Sequence, residues 1–213
     1  MFAQKNFALK ILGITIVVFI LQNFIPGFTE LFVLNQANIF THPWMFFTAI
    51  FLHGSIAHLF FNMIALLIFG PMLEQQIGGK NFLLVYLIGG IVGNVIGIFF
   101  YPQALGASGA IMAMFGTLVV LMPRLTVLIY GIIPMPLWAM AVLWFLLDFF
   151  GSFTASSIGH IVHIAGLIYG LAFGFYLKRK IRSIPKKGSF FGRRTSRGNG
   201  SDNSVDEWIR RNS

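Results

Sequence analysis

The chain of 213 residues is 57% hydrophobic and only 10% charged, and it contains 25 phenylalanines. A water-soluble domain needs more charge than this to cover its surface, so the composition predicts a protein surrounded by lipid. Cysteine is absent, which excludes disulfides, thiolate catalysis and cysteine-based metal sites.

The hydrophobic residues form six stretches of membrane-spanning length, separated by polar residues, glycine and proline. The first stretch is too long for a signal peptide, and its polar end at Gln22 and Asn23 lacks the small residues of a cleavage site. We therefore expect it to be retained. The predicted fold class is an all-α membrane protein with six transmembrane helices. The stretches cover residues 7–25, 55–73, 81–100, 108–122, 136–150 and 160–177.

The positive charges predict how these helices are oriented. With six spans, all 15 lysines and arginines fall on the side that holds both termini, and the opposite loops contain none. Positive residues mark the cytoplasmic face of a membrane protein, so both termini are predicted to be cytoplasmic. The loops without lysine or arginine cover about residues 26–54, 101–107 and 151–159.

The sequence divides into a membrane domain, residues 1–177, and a basic tail, residues 178–213, rich in Lys, Arg, Ser, Gly and Asn. The tail has the composition of a disordered extension. Its charges either fix the topology of the last span or bind anionic lipid headgroups. No internal repeat is evident, which argues against the duplicated architectures of many transporters.

A short Gly-Ala-Ser-Gly string opens the fourth stretch, from Gly106 to Gly109. Glycine permits a sharp turn on either side of Ser108. Free N–H groups at a helix N-terminus favour negative charge, so an oxyanion formed beside Ser108 would be stabilised. Ser108 is therefore a candidate nucleophile. The alternative is an ordinary helix N-cap, which is common for serine.

His163 lies near the start of the sixth stretch, and its imidazole can accept a proton near neutral pH. Gly166 and Gly170 follow it on the same helix face and permit close helix packing. If the neighbour is the fourth helix, Ser108 and His163 meet. The alternative is a structural histidine, and His160 is interpreted as an interfacial loop residue.

A third polar group enters the second stretch, formed by His53, His58 and Asn62. His58 and Asn62 are four residues apart and share a helix face. Both side chains can donate hydrogen bonds to a developing oxyanion. The alternative is that they hold helices together by polar contacts.

Other classes of intramembrane protease lack their signatures here. No His-Glu-x-x-His zinc motif is present. A paired-aspartate protease needs two membrane aspartates, and only Asp148 lies in or near a span. We expect Asp148 to satisfy polar groups at the outer end of the fifth helix, and a role in binding substrate is the alternative.

Taken together, the motifs resemble the rhomboid family of intramembrane serine proteases over about residues 40–177. The motifs occur in the family's order, and two further residues match, the family's glutamate after the second helix and its loop tryptophan. Two positions depart from the family pattern, because Met45 stands where arginine is frequent and Met112 where an aromatic ring usually stacks on the histidine. The matching residues are His53, His58, Asn62, Glu74, Trp44 with Thr48, Gly106, Ser108, Gly109, His163, Gly166 and Gly170.

The resemblance implies a Ser108–His163 dyad with no carboxylate partner, acting in a water-filled cavity below a mobile fifth helix. The oxyanion would be bound by the Ser108 N–H with His58 and Asn62. Substrates would be transmembrane proteins in the lipid bilayer, without a cofactor, metal or nucleic acid. A bacterial plasma membrane is the simplest location, and the oligomeric state stays open. The alternative function is an inactive relative that binds transmembrane helices.

Overall fold

The computed structural model describes residues 6–129, 132–154 and 158–183, with side chains described to residue 180. Helices dominate these residues, because a backbone in lipid must satisfy its own hydrogen bonds. The helices are α1 (Phe7–Phe24), α2 (Phe28–Phe32), α3 (Met45–Thr48), α4 (Ile56–Gly97), α5 (Ser108–Leu121), α6 (Leu137–Gly151) and α7 (His160–Ser183), with a 3₁₀ turn at Ala49–Phe51.

Each predicted apolar stretch coincides with helix, although the second and third stretches share α4. This helix has 42 residues, and its path is broken at Gly78, whose φ of 76° and ψ of 154° are not helical. By length and composition, α1, α4 and α7 could each cross a membrane, while α5 and α6 are shorter apolar helices. At its end, α7 continues six residues past the predicted boundary at residue 177. The rest of the predicted tail, 184–213, lies outside the described residues.

Two short antiparallel strand pairs depart from the all-helical prediction. Strand β1 (Leu34–Asn35) pairs with β2 (Gln103–Ala104), and β3 (Thr126–Ile129) pairs with β4 (Ile133–Pro136). The first pair joins the long loop after α1 to the segment that leads into α5. Side-chain amides add to this attachment, because Asn94 donates to the Phe46 carbonyl at 2.9 Å.

Helix α5 forms the centre of the bundle, and all of its residues from Gly109 to Val120 are buried. It contacts α7 through small residues on both helices. A Cβ placed on Gly116 would lie 2.6 Å from the Leu167 carbonyl oxygen of α7. The Thr117 hydroxyl then donates across the interface to the Gly170 carbonyl at 2.9 Å. This close packing holds the N-terminal ends of α5 and α7 beside each other.

Hydrogen bonds hold both ends of α1. Its start contacts α4, and its end contacts the loop that precedes α4. The Glu74 carboxylate accepts hydrogen bonds from the Phe7 and Ala8 N–H groups, both at 3.0 Å. A carboxylate at a helix N-terminus satisfies free N–H groups and complements the helix dipole. At the other end, the Gln22 side chain accepts from the His53 N–H at 2.9 Å. The start of α1 therefore lies at the same end of the bundle as the break in α4.

Candidate active site

Ser108 is the first residue of α5, and the segment before it has a conformation that requires glycine. Gly106 has a φ of 128°, which L side chains rarely adopt, and its N–H donates to the Ala49 carbonyl at 2.9 Å. A Cβ on Gly106 would lie 2.7 Å from Cε1 of His58. Gly106 thus permits the sharp turn that the sequence predicts, and it also leaves room for the His58 ring.

Ser108 and His163 are in direct contact in the structure. The Ser108 Oγ lies 2.8 Å from the His163 Nε2. The contact is possible because Gly166 packs against the Gly109 carbonyl, so that α5 and α7 approach closely. Both side chains remain partly exposed, whereas Gly109 beside them is buried. A small molecule or peptide could therefore reach them.

The His58 ring lies near Ser108 and contacts the His53 ring, while the Asn62 amide makes a hydrogen bond within its own helix. The rings of His53 and His58 meet edge to face, with centroids 4.9 Å apart. The Asn62 amide donates to the His58 carbonyl of its own helix at 2.9 Å. Only the second N–H of this amide is therefore free for the oxyanion role that the sequence suggests.

The His53 ring is only 2% exposed, and neither ring nitrogen has a hydrogen-bond partner among the described residues. The pKa of His53 is lowered from 6.5 to about 4. Burial is the largest cause, the nearby His58 acts in the same direction, and the backbone of Phe51 raises the pKa. His53 is therefore uncharged at neutral pH.

The expectation that His163 has no carboxylate partner is wrong in this structure. The Asp148 Oδ1 on α6 lies 3.0 Å from His163 Nδ1 and 2.8 Å from His160 Nδ1. As expected, Asp148 satisfies polar groups, near the C-terminal end of α6. His160 is not a loop residue as predicted, because it begins α7 and is buried. Gly151 leaves the room for its ring.

The signal for Asp148 in the sequence was its isolation as a carboxylate near an apolar segment. The pairing of Asp148 with His160 and His163 carried no such signal, since these residues lie 12 and 15 positions further along the chain. Nothing in the spacing shows that both imidazoles reach the same carboxylate oxygen. That arrangement depends on how α6 and α7 cross.

The two departures from the family pattern have different surroundings. Met45 is 1% exposed, and no arginine stands at its position. The segment between α1 and α4 is held by the residues around Met45 instead. The Trp44 Nε1–H donates to the Leu31 carbonyl at 3.1 Å, and the Thr48 hydroxyl donates to the Phe32 carbonyl at 2.8 Å. Met112 is buried within the apolar core around α5.

Within the described parts of the chain, a group of side chains that could hold a metal ion is formed by Asp148, His160 and His163. Each offers one ligand atom, a carboxylate oxygen or a ring nitrogen, and these atoms lie within 4.8 Å of one another. Their N···O separations of 2.8 and 3.0 Å are hydrogen-bond distances. We therefore interpret the group as a carboxylate bonded to two imidazoles.

The fold and the site define a class of protein before any comparison is made. Apolar helices expose large side chains such as Trp138, Phe150 and Ile168 on the outside of the bundle. Inside it, a polar cluster joins α4, α5, α6 and α7. This combination is that of an integral membrane protein with a polar site buried between its helices.

Comparison with known proteins identifies the family. Residues 40–180 match the rhomboid domain, so the chain belongs to the rhomboid family. "Rhomboid-like protease 3" of Toxoplasma gondii is 33% identical over 149 residues, which cover 67% of this chain and 55% of that protein. "Putative rhomboid protease YdcA" of Bacillus subtilis is 34% identical over 143 residues, which cover 64% of this chain and 68% of that protein.

A mitochondrial relative also matches, over a longer segment. "Rhomboid protein 1, mitochondrial" of Saccharomyces cerevisiae is 27% identical over 198 residues, covering 83% of this chain and 55% of that protein. The chain thus spans about half of the length of two of these three relatives and about two thirds of the third.

Proposed function

We propose that the chain is an intramembrane serine endopeptidase in which Ser108 is the nucleophile and His163 the general base. The observation that carries this proposal is the 2.8 Å separation of the Ser108 Oγ and the His163 Nε2. An imidazole at this distance can take the hydroxyl proton as the oxygen attacks a carbonyl carbon. Membership of a family whose relatives are named as proteases supports it.

The reaction would proceed through an acyl-enzyme. The Ser108 oxygen forms a bond to the carbonyl carbon, and His163 passes the proton to the departing amine as the peptide bond breaks. A water molecule then gives a proton to His163 and hydrolyses the ester, which restores the Ser108 hydroxyl. No group beyond the side chains and water is needed for these steps.

The oxyanion would form beside the first turn of α5, whose N–H groups have no acceptor within the helix. The His58 ring borders Gly106 and lies on the same side as the Ser108 hydroxyl. It is the candidate side-chain donor, together with the second N–H of Asn62. Removing one such donor from a hydrolase typically reduces turnover by about 10²–10³-fold.

Six membrane crossings follow if α4 crosses twice and turns at Gly78. The contact of Glu74 with the start of α1 supports this, since it brings the break in α4 to the predicted cytoplasmic end. The 14 residues of α5 span about 20 Å, less than the hydrocarbon core of ~30 Å. With its C-terminal end at the cytoplasmic face, α5 would place Ser108 below the outer surface.

Substrates would accordingly be transmembrane proteins, cut near the outer end of a helix. A continuous helix hides its carbonyl groups in hydrogen bonds, so residues that weaken the helix would expose the scissile bond. The protein would work in the lipid bilayer of a bacterial plasma membrane, and the mitochondrial relative makes an organelle membrane the competing location.

A fluorophosphonate probe tests the proposal without knowledge of the substrate. The wild-type protein in detergent should be labelled at Ser108, and Ser108→Ala should abolish labelling. His163→Ala should slow labelling by at least about 10²-fold, the usual contribution of a general base. Ser152→Ala is the matched control, because this serine follows α6 and its hydroxyl donates to the Phe149 carbonyl.

A cleavage assay with a transmembrane substrate separates the two functions that the sequence allows. Cleavage that depends on both Ser108 and His163 would support the endopeptidase. An intact chain that binds transmembrane helices and reacts with no probe would instead be an inactive member of the family.

A further inference from the structure

The outer end of α6 carries a buried carboxylate with two imidazoles as its partners. Asp148 is 4% exposed, and its Oδ1 lies 2.8 Å from the His160 Nδ1 and 3.0 Å from the His163 Nδ1. Its Oδ2 is buried without a hydrogen-bond partner among the described residues. Among the residues that the structure describes, no lysine or arginine forms an ion pair with Asp148.

The chemistry of a carboxylate determines which imidazole nitrogens carry hydrogen. An ionised carboxylate only accepts hydrogen bonds, so each Nδ1 that faces it must donate. A neutral His163 with hydrogen on Nδ1 has a lone pair on Nε2. That Nε2 is the atom that lies 2.8 Å from the Ser108 Oγ.

We propose that Asp148 is a positioning residue for His163, so that the site contains a carboxylate–imidazole–hydroxyl chain rather than a Ser–His pair alone. The inference rests on the proposed function of Ser108 and His163. Asp148 holds the imidazole in the tautomer and orientation that accept the Ser108 proton. Its charge then stabilises the imidazolium that forms when the proton is transferred.

The packing of α6 makes Asp148 the link between this helix and the base. The buried residues of α6 are Leu137, Met140 and Ala141 in its first half and Asp148 in its second half. The carboxylate is therefore the main buried contact of the outer half of α6. A shift of this half away from α7 would take the carboxylate away from His163.

His160 holds the carboxylate from the other side. Its ring fills the space left by Gly151, where a Cβ would lie 2.5 Å from the His160 Cε1. Because His160 donates to the same oxygen as His163, it limits how far Asp148 can rotate. The carboxylate is thus fixed before a substrate arrives, which is what a positioning group requires.

The test compares Asp148→Asn with Glu74→Gln. Asparagine keeps the shape but loses the charge, and its amide can donate to Nδ1 and favour the wrong His163 tautomer. We expect at least a tenfold lower rate of fluorophosphonate labelling at Ser108, and a lower kcat with little change in KM for a cleaved substrate. Glu74, in the middle of α4 beside the start of α1, is a similarly buried carboxylate away from the site, and its variant should label at the wild-type rate.

Nitrogen NMR of the wild-type protein gives a readout that a structural role would not produce. His163 should carry its hydrogen on Nδ1, and Asp148→Asn should shift the tautomer toward Nε2. A wild-type His163 with its hydrogen on Nε2 would overturn the inference without any variant, even if Asp148→Asn failed to fold.

The failures of the two proposals are distinguishable. If wild-type Ser108 is labelled and Asp148→Asn is labelled equally fast, the positioning role is wrong and the protease proposal stands. If wild-type Ser108 is not labelled at all, the protease proposal fails and the inference fails with it. Labelling that a chelator abolishes and zinc restores would also overturn the inference, because the cluster would then hold a metal.

Discussion

At the scale of single residues, His53 is the clearest case of a side chain whose charge state is set by its surroundings. It is almost completely buried, both of its ring nitrogens lack partners in the described structure, and a second imidazole lies beside it. Protonation would place a charge in a buried site beside another imidazole, and the Phe51 backbone offsets only part of that cost. The folded protein therefore opposes protonation of His53.

His53 should make the protein less stable in mild acid. Its pKa is about 4 in the folded protein, against 6.5 when unfolded, so the unfolded state binds the proton first as the pH falls. The stability is complete above pH 6.5 and decreases down to about pH 4. Between pH 7 and pH 5 the loss should be about 2 kcal/mol. Unfolding in mixed micelles at both pH values measures it.

His53→Phe should remove this acid sensitivity, because phenylalanine keeps an aromatic ring against His58 and cannot be protonated. The variant and the wild type should have similar free energies of unfolding at pH 7 and should differ at pH 5. An equal loss of stability in the two proteins would show that His53 is not the group responsible.

The residues of the site differ in how far the sequence could predict them. Ser108 and His163 were identifiable because each is a polar side chain in an apolar segment with glycines nearby, and their contact is present in the structure. Asp148 was noticed, but its hydrogen bonds with His160 and His163 were not predicted. The contact of one carboxylate with His160 and His163 depends on helix rotation, which hydropathy does not encode.

At the scale of helices, the positions were predictable from hydropathy and the short strands were not. Apolar runs of about 15–20 residues have little alternative to a helix in lipid. Strands β1 to β4 have two to four residues each, and β4 contains Pro134 and Pro136. Their pairing depends on tertiary contacts between distant loops, so no local pattern indicates it.

The stability of the protein should be most sensitive to added side-chain volume where α5 packs against α7. A Cβ on Gly170 would collide with the Ala113 carbonyl of α5, which cannot move without moving the helix. Gly170→Ala should therefore destabilise the protein by about 1–3 kcal/mol. It should also slow labelling of Ser108, since separating the two helices lengthens the distance to His163.

Gly13→Ala is the matched control, because the same change on α1 meets no atom within 4 Å. Alanine is a better helix former than glycine, so this variant should be unchanged or slightly more stable. Equal thermal midpoints and labelling rates for the two variants would contradict the close packing of α5 and α7.

At the scale of the whole molecule, contacts at the two ends of the bundle agree with the charge pattern. Glu74 joins the start of α1 at one end, and Lys178 reaches the Val120 carbonyl at the end of α5, at 3.5 Å. At the opposite end, Gln22, His53 and the polar site lie together. Lys178 thus lies at the end away from the site, which is where the predicted topology puts positive charge.

The absence of cysteine makes this topology directly measurable, since any introduced cysteine is the only thiol. Thr41, Thr154, Lys80 and Arg124 are exposed in the structure. With six crossings, Thr41→Cys and Thr154→Cys should react with a membrane-impermeant maleimide on intact cells. Lys80→Cys and Arg124→Cys should react only after permeabilisation. If α4 crossed once, Lys80→Cys and Arg124→Cys would differ from each other, and Ser108 would not lie near the outer face.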